Sequence, residues 1–74
     1  MNIKDIITLN DNHKYQIISK TIYNETVYYY LVAIEDITNI KILYENFDHL
    51  TEVADQDLIN LLLPKFFLEI KDLL

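Results

Sequence analysis

The chain has 74 residues, 51% of them hydrophobic, and its 12 acids against 6 lysines give a net charge of -6. That length predicts a single domain, residues 1–74, near the lower limit for a self-sufficient core. Cysteine, glycine and arginine are absent. These absences exclude disulfides, thiolate metal sites, glycine-rich phosphate or dinucleotide loops and bidentate guanidinium recognition. A pI near 4.5 argues against direct binding to nucleic acid or to an anionic membrane, both of which need clustered cations.

In chain order, Asp5 to Leu9 reads as a first strand that ends in the turn cluster Asn10-Asp11-Asn12-His13. Asn and Asp are the residues that best take a left-handed conformation when glycine is missing. Lys14 to Ile22 is β-branched and aromatic, hence strand, and Asn24-Glu25 is the next turn. Val27 to Ile34 is apolar on both alternating faces, as a central strand covered on both sides requires. Asn39 to Glu45 alternates, with Ile40, Ile42 and Tyr44 inward and Asn39, Lys41 and Glu45 outward on a wet face. Asn46-Phe47-Asp48-His49 turns the chain again, and Leu50 to Val53 adds a short edge segment as a fifth strand. Connections this short permit only an antiparallel meander.

A helix is predicted over residues 55 to 73, with Asp55 as N-cap and Asp57 favourable in the first turn. At 100° per residue Ile59, Leu62, Leu63, Phe66, Phe67, Ile70, Leu73 and Leu74 share one arc, which covers the sheet. Pro64 falls inside this pattern and predicts a kink or a restart near Leu63. Leu61 and Leu68 form a narrower apolar stripe on the opposite side. Ala33 is small and leaves room for a helix, so the Tyr29 face of the central strand is assigned to it, and Tyr28 and Tyr30 to the opposite, partly open face. The architecture is therefore α+β: an antiparallel meander of four strands, or five where Leu50 to Val53 pairs, and one kinked C-terminal helix packed on one sheet face.

Three surfaces stand out as candidate sites. Tyr28 and Tyr30, and separately Leu61 and Leu68, are interface candidates, since exposed aromatic and apolar patches mark association. Asp48, Glu52, Asp55 and Asp57 form a candidate acidic patch at the junction between sheet and helix. His13 and His49 each lie near an aspartate, but no spacing matches a ligand motif, so neither metal nor cofactor is expected. Hydroxyls and carboxylates are present without a catalytic order or oxyanion donors, so the chain is read as a non-enzyme.

The N-terminal Asn2-Ile3-Lys4-Asp5 interrupts any leader-like apolar stretch, and no run approaches the roughly 20 apolar residues of a membrane span. A cytoplasmic protein is expected, and the richness in Ile, Asn and Lys suggests an AT-rich bacterial or phage genome.

The segments Ile6-Ile7-Thr8-Leu9-Asn10-Asp11, Tyr15-Gln16-Ile17-Ile18, Tyr28-Tyr29-Tyr30-Leu31-Val32 and Leu50 to Ile59 occur in an order that resembles the YrzB-like family. This is a family of small proteins of low-GC Gram-positive bacteria whose function is not established. The resemblance spans about residues 5 to 67 and implies a fold only. The chain lacks the glycine or acid-rich first turn and the long acidic stretch usual in that family. The functional expectation is a small acidic protein-interaction module that self-associates, as a homodimer, or docks on a larger protein. The alternative is a phage-type anti-defence inhibitor whose acidic surface occupies the nucleic-acid channel of a nuclease.

Overall fold

A computed structural model describes residues 2–73, with side-chain surroundings for residues 2–71. Five strands, β1 (Ile6–Thr8), β2 (Lys14–Tyr23), β3 (Thr26–Ala33), β4 (Ile40–Asn46) and β5 (His49–Glu52), precede one helix, α1 (Gln56–Leu73). The strands form a single antiparallel sheet in sequential order, so the predicted meander and its fifth strand are both present.

The turns show how a chain without glycine bends. Asn24 and Glu25, between β2 and β3, both have positive φ (52° and 65°), as a two-residue type I′ hairpin requires. At the first turn Asn12 has φ 64°, its amide bonds the Leu9 carbonyl, and the Asp11 carboxylate accepts from the His13 amide. Of these, Glu25 is the departure from the Asn/Asp rule, because twist matching at a tight hairpin outweighs its own preference.

Each face of the sheet carries its own buried cluster. One comprises Tyr15, Ile17, Tyr29, Leu31, Ala33 and Leu43, with Ile7, Leu9, Val27 and Leu50 against it. Among the described residues no helical one belongs to it, and the sheet buries this face by curling into a half-barrel. The other comprises Tyr28, Tyr30, Ile42 and Val53 together with Leu62 and Phe66 of α1.

This reverses the predicted assignment of faces: the helical side chains meet Tyr28 and Tyr30, and the Tyr29 face closes on itself. Two features account for the reversal. Ala33 stands opposite Tyr15 in the β2–β3 register, so its small side chain makes room for the Tyr15 ring inside the curl. A β-bulge between Ile17 and Ser19 leaves Ile18 without a partner, and Ile18 joins the helix-side cluster. Bulges of this kind strengthen local twist and bend a strand.

β4 is also less one-sided than its alternation suggests. Leu43 is buried on the curled face, Lys41 is half-buried, and Ile40, expected inward, is exposed.

α1 runs unbroken through Pro64, so the expected restart is not seen. Asp55 caps it as predicted, its carboxylate accepting from the Asp57 amide at 3.0 Å and the Leu58 amide at 3.4 Å. Leu62 and Phe66 are fully buried, Ile59, Leu63 and Ile70 are half-buried, and Phe67 is exposed despite its predicted place in the arc. The Leu73 side chain and all of Leu74, placed in the same arc, lie outside the described residues. Ser19 is buried beside the helix, and its hydroxyl donates to the Phe66 carbonyl at 3.1 Å.

Candidate interaction surfaces

Tyr28 and Tyr30 retain only 8% and 9% of their exposure. Phe66 lies 5.6 Å from the Tyr30 ring and Tyr44 lies 6.1 Å from the Tyr28 ring, centroid to centroid. They are buried in one cluster with Leu62 and Phe66 of α1, so they form an internal aromatic layer and not an open surface.

Leu61 and Leu68 stand outside that layer, 43% and 63% exposed. Phe67 joins them at 52% exposed, its ring centroid 6.0 Å from that of Tyr30 in a T-shaped contact. Exposed Pro64 lies between these residues on the helix surface. Phe67 was missed because it falls at the margin of the apolar arc, where a large ring only half fits beneath the helix. On the sheet side of Phe67, an apolar depression of about 340 Å³ runs along α1, lined by Tyr30, Ile40, Ile42, Val53 and Leu63 among others.

The predicted acidic residues divide. Asp55 and Asp57 stay at the helix start, where Asp55 is used as the cap. Asp48 and Glu52 instead line a groove of about 510 Å³ at the open side of the half-barrel, together with Asp11 from the first turn. Leu9, Leu43 and Leu50 also line it, and Lys41 pairs with Glu52 at 3.5 Å. His49 borders this groove, whereas His13 borders a separate depression beside Ala33 and Asn39. Among the described residues no group of three or more His, Asp or Glu is placed to hold a metal ion.

Polar tethers hold the rim of the curl. The Tyr15 hydroxyl donates to Asp11 at 2.7 Å and accepts from the Asn39 amide at 3.1 Å, tying β2 to the first turn and to the loop before β4. The Tyr15 bond, followed by the one from the His13 amide, holds the Asp11 carboxyl below the usual carboxylate range. The same bond to Asp11, followed by burial, raises the Tyr15 hydroxyl. Across the sheet, Tyr29 donates to Glu45 at 3.0 Å, and burial together with that bond pushes its pKa up to about 12.

At the tip between β4 and β5, Phe47 is 95% exposed and has φ 58°. A positive φ at the first central residue alone is the pattern of a type II′ turn, where glycine is favoured. The sequence signal for this turn is a phenylalanine set amid Asn46, Asp48 and His49.

No protein-family model, curated protein or solved structure matches the chain. Among the described residues no helix is long and apolar enough to cross a membrane.

Proposed function

We propose that this chain is a small, non-enzymatic, acidic protein-interaction module that docks through the outer surface of α1, either on a second copy or on a larger protein. The observation that carries this reading is the exposed row Leu61, Phe67 and Leu68 on a helix whose opposite side is committed to the sheet cluster. In this reading α1 is a lid on the Tyr28/Tyr30 face, bent at Pro64, and its outer row is free for a partner. Apolar association of this kind changes little with salt. The module works in the cytoplasm without cofactor, membrane or direct nucleic-acid contact, in keeping with a net charge of -6 and no arginine. The likeness to the YrzB-like family supports the fold of such a module and no mechanism.

The test replaces Leu61→Glu and Leu68→Glu together. Light scattering should show the wild-type chain associating and the double variant monomeric, with circular dichroism unchanged. Association that persists in the double variant refutes the stripe as interface.

A second reading draws on the placement of Asp11, Asp48 and Glu52 around one groove: an inhibitor that occupies the nucleic-acid channel of a nuclease. Its affinity would fall steeply with salt, which separates it from apolar docking.

A further inference from the structure

The five-stranded meander has an odd number of strands, so β1 and β5 run in the same direction as the two free edges of one sheet. The curl turns these edges toward each other: Leu9 and Asp11, just after β1, line the same groove as Leu50 and Glu52 of β5. A further strand laid along this groove would run antiparallel to both edges.

The edges hold backbone groups for that strand. The Ile17 amide bonds the Asp5 carbonyl and the Leu9 amide bonds the His13 carbonyl, so alternation leaves the Ile6 and Thr8 backbones facing away from β2. The Val53 amide bonds the Ile42 carbonyl, which likewise leaves Leu50 and Glu52 facing away from β4.

Charge and shape define the occupant. Asp11, Asp48 and Glu52 surround the groove against Lys41 alone among its lysines, and Lys41 is engaged with Glu52. The leucines at positions 9, 43 and 50 supply an apolar floor. A strand presents side chains to alternate faces, so the complementary segment alternates apolar residues with cations.

Phe47 adds an observation independent of the acids. It borders a depression shared with Asp48, His49 and Leu50, which continue into the groove. Its ring is bare and its backbone lies in a region bulky residues avoid, two unfavourable features at one position. An exposed aromatic face at the end of an acidic groove suits the stem and charge of a lysine or arginine.

We propose that the seam between β1 and β5 binds an extended basic segment of another protein as a sixth strand, with Phe47 packed on one of its cations. This site is separate from the α1 row and stands or falls without it.

The test titrates the isotope-labelled full chain with acetyl-Val-Lys-Val-Lys-Val-Lys-amide, followed by amide NMR and hydrogen exchange. Binding should shift the Ile6, Thr8, Leu50 and Glu52 amides and slow their exchange about tenfold or more. The same peptide N-methylated at alternate residues keeps its charge but cannot pair on one edge, and should bind at least tenfold more weakly. Phe47→Gly should raise Tm of the free chain by about 4 °C by relieving the turn, yet weaken peptide binding about two- to fivefold. The Leu61→Glu/Leu68→Glu variant should bind the peptide as wild type does.

Equal affinity for the N-methylated peptide would reduce the site to electrostatic adsorption and overturn strand addition. So would the absence of shifts at millimolar peptide. Undiminished binding by Phe47→Gly removes Phe47 from the site.

Discussion

Tyr29 and Tyr30 are neighbours on β3, and both are buried, but by different means. Tyr29 lies in a face that the sheet covers by curling, and its hydroxyl is tied to Glu45. Tyr30 lies in a face where Leu62 and Phe66 arrive from the far end of the chain. The curled face uses polar tethers at its rim, Tyr15 to Asp11 and Tyr29 to Glu45. In the other, the Ser19 hydroxyl reaches the Phe66 carbonyl across 47 positions of sequence. The chain thus buries residues from both faces of its sheet, one set by curvature and one in a cluster shared with Leu62 and Phe66 of α1. Curvature requires a bulge and a small residue, and a helix requires a matched apolar arc.

Three experiments sharpen this contrast, in descending size of effect. Phe66→Ala empties the centre of the helix-covered face and should cost about 3–5 kcal/mol in urea unfolding, a large part of the stability of so small a domain. A loss below about 1 kcal/mol would mean that the helix contributes little and that the sheet stands alone.

Ser19→Ala removes the hydroxyl that joins the bulged strand to the Phe66 carbonyl, and should cost about 1 kcal/mol. Its loss should be unaffected by a simultaneous Tyr29→Phe change on the other face, since distant sites add. Strong coupling between them would show that the two faces are not independent layers.

The last effect is nil at neutral pH and is felt only under alkaline conditions. The Tyr29 hydroxyl ionises at about 12 in the folded chain against an ordinary value of 10.0. The unfolded chain therefore releases this proton first, and stability that is complete below pH 10 declines between pH 10 and 12. Thermal unfolding across that range should show a shallower decline for Tyr29→Phe, while Ser19→Ala keeps the wild-type slope.

Much of this fold was legible in the sequence, because strand, turn and cap each have a local cause. The Asn-rich turns, the Val27–Ile34 apolar run and the Asp55 cap are set by residues within a few positions of one another. Which face receives the helix is not local. It depends on a bulge at Ile18 and on the pairing of Ala33 with Tyr15, and neither leaves a mark in hydrophobic periodicity. The same reversal turned Tyr28 and Tyr30 from surface candidates into core, whereas Leu61 and Leu68, read from helical angle alone, stand exposed. The seam has no local signature, since Asp11 and Glu52 are 41 positions apart and meet at one groove only through the curl.

The hairpin turn at Asn24 and Glu25 has a consequence for how the molecule assembles. Its two residues already hold the left-handed conformation that aligns β2 with β3, the longest ladder of the sheet. Each later strand then adds beside its predecessor at small loop-closure cost, whereas docking Phe66 on Ser19 closes a long loop. The expected order is a sheet that grows outward from this turn and a helix that settles last. The barrier to folding then lies in β2–β3, and the speed of unfolding in the grip of α1.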